Sequence, residues 1–224
     1  MITLAIDTSA HLCAVALHDD ASDSILAERT EDIGRGHAER LMDVIGEVLA
    51  AASLDYSAMG RVAASVGPGS FTGLRVGLAT ARGIALGLGV PAVGVGALDA
   101  LAVAARPHDA GQPLLSILDA RRGEAYARFF GAAARPEAPF VAAYDTIAGM
   151  IRDEPDITLC GSGAAQLIEL VGRNLRIAHE RAAAPIAAYA RLGANVRETG
   201  IRPEPLYLRP PDAKPQSGFA LARA

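Results

Sequence analysis

The stretch Gly67-Pro68-Gly69-Ser70-Phe71-Thr72-Gly73 limits the fold more than any other segment of the sequence. It lies between an apolar, strand-like run, Arg61 to Val66, and a helix-patterned run from about Leu74 to Leu86. Three glycines and a proline within seven residues demand backbone geometry that other side chains resist. A strand that ends in such a loop and resumes as a helix belongs to an α/β layer, with the N–H groups of the first helical turn turned toward the loop. The stretch is not a Walker A loop, because no Lys follows its last Gly. The glycine spacing does not fit a dinucleotide fingerprint. Ser70 lacks the Gly-x-Ser-x-Gly elbow, and the sequence pairs no His and Asp with it, so a Ser nucleophile is not expected. As a plain connection, the loop would place Thr72 near the helix N-cap.

Patterning around this loop fills in the layer. Residues 2–6, 13–18 and 24–30 are three strand-like runs joined by tight turns. Leu41, Val44, Ile45, Val48, Leu49 and Ala52 then form one apolar stripe at helical spacing. A strand near Pro91 to Val95 and a helix over Ala97 to Ala105 complete a β-β-β-α-β-α-β-α order. Residues 106–113 are rich in Pro, Gly and polar side chains and mark a boundary, giving an N-terminal subdomain over residues 1–106 and a C-terminal one over residues 107–224. The opening pattern then restarts. Leu114 to Leu118 ends in Asp119 and returns as Glu124 to Phe130, as Leu4-Ala5-Ile6-Asp7 returns as Cys13 to Leu17. Helices are expected near Thr146 to Arg152, at Ala164 to Val171 and from about Pro185 to Glu198. A strand is expected at Ile157 to Cys160, and Leu206-Tyr207-Leu208 is expected to dock as a short strand in a proline-rich tail.

Composition removes several classes of function. With 51% hydrophobic residues the chain is too apolar to be disordered. A net charge of -4 is not that of a surface built to hold a polyanion throughout. Cys13 and Cys160 are too far apart for a zinc-type pair and sit in apolar runs, as buried thiols do in a reducing cytoplasm. No basic region precedes the first apolar run, and no apolar span approaches membrane length, so a cytoplasmic chain is expected.

The residues that can carry chemistry are few. Asp7-Thr8-Ser9 ends the first strand; it reads either as an anion or metal-water site or as an Asx-turn. His37 has Leu41, not His, four residues on, so a helical metal pair is incomplete and no metal is expected. Gly73, Gly77 and Ala81 form a line of small residues spaced four apart, which admits another helix closely: the helix at 39–52, or one from another chain. Gly77 and Gly83 each cost about 1 kcal/mol against Ala inside a helix, so close packing should compensate. Two arginines in Asp119-Ala120-Arg121-Arg122-Gly123-Glu124 can meet an anion or simply face water.

The block Ser65-Val66-Gly67-Pro68-Gly69-Ser70-Phe71-Thr72-Gly73-Leu74-Arg75-Val76-Gly77 resembles the hallmark of the bacterial TsaB (YeaZ) family. Ala5-Ile6-Asp7-Thr8-Ser9, His37-Ala38-Glu39-Arg40-Leu41, Gly89-Val90-Pro91, Leu118 to Glu124 and Leu206-Tyr207-Leu208-Arg209 extend the resemblance over the chain.

The resemblance implies an actin-like ATPase (ASKHA) fold of two ribonuclease-H-like subdomains. It implies a non-catalytic scaffold in synthesis of N6-threonylcarbamoyladenosine beside the tRNA anticodon. The catalytic paralogue TsaD and the small ATPase TsaE would be its partners, a homodimer is an option, and tRNA would be met through the complex. On the same ground His37, Arg40, Leu41, Val44, Gly73, Leu74, Arg75, Gly77, Leu78, Ala81 and Arg82 are expected at the partner interface. Weak ATP or ADP binding would fall to Asp7, Thr8, Ser9, Gly161, Ser162 and Gly163. The alternatives are an ATP-dependent phosphotransferase of this fold and a peptidase acting on TsaD.

Overall fold

The computed structural model describes residues 1–105, 112–131 and 135–209. Most of the expected boundary at 106–113, and the tail from residue 210, lie outside them. Strands β1 (Ile2–Asp7), β2 (Leu12–Asp19) and β3 (Ser24–Asp32) form an antiparallel meander. Helix α1 (His37–Ala51) follows. β4 (Met59–Gly67) then pairs parallel to β1. Helix α2 (Phe71–Leu88) leads to β5 (Ala92–Gly96), which is parallel to β4, and to α3 (Ala97–Ala105). The sheet order is β3-β2-β1-β4-β5.

The second half repeats the plan. It comprises β6 (Leu114–Asp119), β7 (Glu124–Phe130), β8 (Phe140–Ala143), α4 (Tyr144–Ile151), β9 (Thr158–Cys160), α5 (Ala164–Val171), β10 (Arg176–His179) and α6 (Ile186–Asn195). Its order, β8-β7-β6-β9-β10, matches that of the first sheet strand for strand, with the same antiparallel and parallel pairings. β6 therefore stands where β1 stands, and Asp119 where Asp7 stands. This duplication is the actin-like ATPase architecture.

Three cores divide the molecule into five layers. Leu41, Val44, Ile45, Val48 and Leu49 of α1, with Leu78, Ala81 and Ala85 of α2, cover the outer face of the first sheet. Ile147 and Ile151 of α4 and Leu167 of α5 cover the outer face of the second. Between the sheets lie α3 and α6, packed on Ala5, Ala14, Ala16, Ala63, Val93 and Val95 from one side and Leu114, Leu118 and Cys160 from the other. Each fully buried Leu or Ile is worth about 1.5–3 kcal/mol. Ala belongs at the middle layer because small side chains let helices lie close to both sheets: a Cβ at Gly193 of α6 would strike the Ala63 side chain. β1 is buried on both faces and is nearly all apolar, whereas edge strand β3 is only partly buried and exposes Glu28, Arg29 and Asp32.

The sequence pattern missed β8 and β10, both four-residue strands at the sheet edge. Leu206 docks through one backbone bond, its N–H donating to the Val66 carbonyl at 2.8 Å, and Leu206 to Leu208 form no strand. The N-cap of α2 is Ser70 rather than Thr72; the Ser70 Oγ accepts from the Gly73 N–H at 3.3 Å. Among the described residues no helix is long and apolar enough to cross a membrane.

Candidate functional site

The turn after β1 and the glycine loop after β4 interlock. The Thr8 hydroxyl donates to the Gly73 carbonyl at 2.7 Å, and the Ser70 N–H donates to the Ser9 carbonyl at 2.7 Å. A Cβ at Gly69 would collide with the Ser9 backbone, one at Gly73 with the Thr8 carbonyl, and one at Gly77 with the Thr8 Oγ1 at 2.5 Å. The small-residue line is thus explained only in part as expected. Gly73 and Gly77 seat the β1–β2 turn, and Ala81 packs in the core shared with α1. Gly67 adopts φ +95°, which only glycine takes without strain.

Asp7 is held inside this junction. It is 2% exposed, and its Oδ1 accepts from the Ser9 N–H at 2.9 Å, an Asx-turn. Burial raises its carboxyl above the ordinary value, against the lowering pull of Ser9. The phenol of Tyr189, from α6, is raised well above its usual value by burial and, second, by the Asp7 charge. Of the two readings of Asp7-Thr8-Ser9, the local geometry is that of the turn.

A cleft of about 540 Å³ opens beyond Ser9. One wall carries Ser9, His11, Pro68, Gly69 and Ser70; the other carries Leu118, Asp119, Ala120, Arg121 and Ser162. The structure therefore brings Ser9 and Ser162 to opposite walls of one cavity. Asp7, Thr8, Gly161 and Gly163 are buried behind those walls. The far wall is fixed locally: the Arg121 N–H donates to Asp119 Oδ1 at 2.9 Å, and the Asp119 N–H to Ser162 Oγ at 3.2 Å. Arg121, Arg122 and Gly123 all have positive φ, so the β6–β7 turn is left-handed at two non-glycine positions. The hydroxyls of Ser9, Ser70 and Ser162, with His11 and Arg121, offer partners for an anionic group, and the Asp119 carboxylate shares the same lining. Sequence reasoning did not place His11 or Ser70 in a ligand site, nor the Arg121 turn across one cavity from Ser9. The signal for the last was the matched position of the Asp7 and Asp119 turns. Among the described residues no group of three or more His, Cys, Asp or Glu side chains can hold a metal ion.

The model of the TsaD tRNA N6-adenosine threonylcarbamoyltransferase family matches residues 25–135. The TsaB protein of Escherichia coli, a tRNA threonylcarbamoyladenosine biosynthesis protein by name, is 35% identical over 126 residues, covering 56% of this chain and 53% of that protein. An uncharacterized protein of Mycobacterium bovis is 33% identical over 215 residues, covering 95% of this chain and 93% of that protein. The solved structure of YeaZ from Pseudomonas aeruginosa superposes with a TM-score of 0.70 at 25% identity, covering 86% of this chain and 90% of that one. The chain belongs to the TsaB/YeaZ family. Its match to the Escherichia coli protein spans about half of that relative's length.

In this TsaB/YeaZ chain the residues expected at a partner interface fall into two groups. Leu41, Val44, Gly73, Leu74, Gly77, Leu78 and Ala81 are buried in the chain's own core. The apolar stripe of α1 faces the sheet, as an amphipathic helix must. His37, Arg40, Arg75 and Arg82 are better exposed but already engaged. His37 Nε2 lies 3.2 Å from the Leu12 carbonyl, and Arg40 forks onto Glu31 and reaches Glu47 at 2.7 Å. Arg75 donates to the Tyr207 hydroxyl at 3.1 Å, and Arg82 to the Pro203 carbonyl. The outward side of the two helices is instead Met42, Gly46, Ala79, Gly83, Leu86 and Gly87, with Leu86 76% exposed. A Cβ at Gly46, Gly83 or Gly87 would meet nothing within 4 Å.

Proposed function

We propose that this chain is a non-catalytic subunit in synthesis of N6-threonylcarbamoyladenosine, acting by docking the outward side of α1 and α2 onto TsaD. Family membership supplies the pathway. The observation that carries the docking is the pair of helices whose outer faces hold Gly46, Ala79, Gly83 and Gly87 beside exposed Met42 and Leu86. Glycine inside a helix costs about 1 kcal/mol against Ala, and at these positions nothing among the described residues offsets it. Close approach of helices from another molecule does offset it. A second copy of the chain competes for the same face, which accounts for a homodimer. TsaE and tRNA are met through the assembled complex.

The test is reconstitution. Threonylcarbamoyl transfer to tRNA by TsaD is measured with wild-type chain, without it, and with Gly83→Leu. Transfer should depend on the chain and fall with Gly83→Leu while the fold, followed by circular dichroism, is kept. Transfer that is indifferent to the chain defeats the proposal.

The cleft supports a second, compatible reading: weak ATP or ADP binding without turnover. Its support is the meeting of Ser9, Ser70, Ser162, His11 and Arg121 around one cavity. Titration calorimetry of the chain with ATP and Mg²⁺, repeated on Arg121→Ala, measures it. Absence of heat with wild-type protein ends this reading and leaves the first standing.

A further inference from the structure

The segment after α6 runs back over the first half of the molecule and is pinned at intervals by arginines. Arg61 of β4, itself buried, donates through Nη1 to the Gly193 carbonyl at 3.0 Å and to the Ala194 carbonyl, and through Nη2 to Glu198 at 2.9 Å. Arg82 of α2 donates to the Pro203 carbonyl, and buried Pro203 lies against Gly94 of β5. Beyond the Leu206–Val66 backbone bond, Tyr207 reaches the first turn of α2. Its ring lies 5.5 Å from that of Phe71, and its hydroxyl accepts from Arg75, whose guanidinium stacks 3.7 Å over Phe71. Two residues on, Arg209 touches the opposite side of the cleft. It donates to the Ala120 carbonyl at 3.0 Å and to the Glu124 carboxylate.

These contacts fall on the two structures that form the walls of the cleft. Phe71 and Arg75 continue directly from Gly69 and Ser70 on one wall. Ala120 and Glu124 bracket the left-handed Arg121-Arg122 turn on the other. Left-handed non-glycine residues are strained and persist only where their surroundings hold them. Arg209 holds this turn at both ends, by the carbonyl before it and the carboxylate after it.

We propose that Tyr207-Leu208-Arg209 is a clasp that joins the left-handed turn on one wall of the cleft to the first turn of α2 on the other, so that a change at either wall is passed to its counterpart. The clasp stands independently of the docking reading. If α2 is also a partner-facing helix, occupancy of the cleft and the setting of that helix are linked through these three residues.

Hydrogen–deuterium exchange on the full chain tests the clasp. Arg209→Ala should speed exchange in residues 119–124, and also in residues 71–76, by about threefold or more, although Arg209 touches neither Phe71 nor Arg75. Tyr207→Ala should do the reverse: it loosens 71–76 by direct loss and 119–124 at a distance. Amides of β1 and β4 serve as the control for global stability. If Arg209→Ala unfolds, Glu124→Gln keeps the fold testable from the hairpin side, because it weakens the same ion pair and leaves the Ala120 bond in place. Distant exchange that rises with the local exchange supports the clasp. Exchange that changes only next to each substitution overturns it, with either variant.

Discussion

The Thr8 hydroxyl and the Gly73 carbonyl, 65 residues apart, meet at 2.7 Å and fix the β1–β2 turn onto the start of α2. Both are buried, so each would be left without water if the other were removed. Gly73 allows the contact because a Cβ there would fall on the Thr8 carbonyl, a backbone atom that cannot swing aside.

Two glycines of one helix should therefore respond in opposite directions. Gly73→Ala should destabilise the chain by about 3 kcal/mol through overpacking and the displaced Thr8 bond. Gly83→Ala meets open space and should stabilise it by about 0.5–1 kcal/mol through helix propensity. Urea midpoints of the two variants, at a protein concentration low enough to keep the chain monomeric, decide the matter. A shift in the same direction for both would remove the distinction between the seated and the outward glycines.

Asp7 should make stability depend on pH in the direction opposite to an ordinary salt-bridged carboxylate. Its folded-state pKa is raised, chiefly by burial, so the folded chain holds this proton more tightly than the unfolded chain does. The resulting stabilisation is present below the unfolded value and is lost as pH rises through the folded one. Asp7→Asn should therefore compare more favourably with wild type at pH 7 than at pH 4. Melting temperatures of both proteins across that range would show a constant offset if Asp7 were not raised.

Glu31 should behave in the contrary sense. Hydrogen bonds from Arg40 and then Arg29 lower its pKa from 4.5 to about 2. Its contribution is present above the unfolded value and disappears as pH falls toward 2. Glu31→Gln should lower the melting temperature at pH 7, with the gap closing on acidification. A gap that persists at pH 2 would place the effect in packing of β3 on α1 instead.

Cys13 should be inert in the native chain. Its thiol is buried between the first sheet and α1, and burial pushes its pKa up to about 11. Iodoacetamide at pH 8 should leave it unmodified for hours by mass spectrometry and label it at once in urea. Prompt native labelling would mean that α1 opens readily from the sheet.

Where the apolar pattern is long, the sequence already showed the element. The stripe Leu41, Val44, Ile45, Val48, Leu49 marks α1, and the matching runs that end at Asp7 and Asp119 mark the duplication. Short edge strands carry too little pattern: Phe140–Ala143 and Arg176–His179 have four residues each and only partial burial. The site was legible in its loops but not in its contacts. Gly73, Gly77 and Ala81 announce close packing at helical spacing, yet spacing on one helix says nothing about what lies against it. The outward side of α1 and α2 was hidden from the sequence for the same reason. An apolar stripe records burial, and here the chain itself supplies it, so the outward surface is written in the small residues Gly46, Ala79 and Gly83.

The position of α6 bears on how the chain is made. Ile186, Tyr189 and Ala190 complete the core over the inner face of the first sheet, yet they come about 90 residues after β5, at Ala92–Gly96. A ribosome releases the whole first sheet, with Ala5, Ala16, Ala63 and Val95 lacking the cover of α6, well before that helix has been synthesised. The N-terminal half must wait in an incompletely buried state until α6 emerges. Its final packing is therefore timed by the second half of the chain, and loss of the residues beyond Ala184 would strand the first sheet rather than merely trim the second.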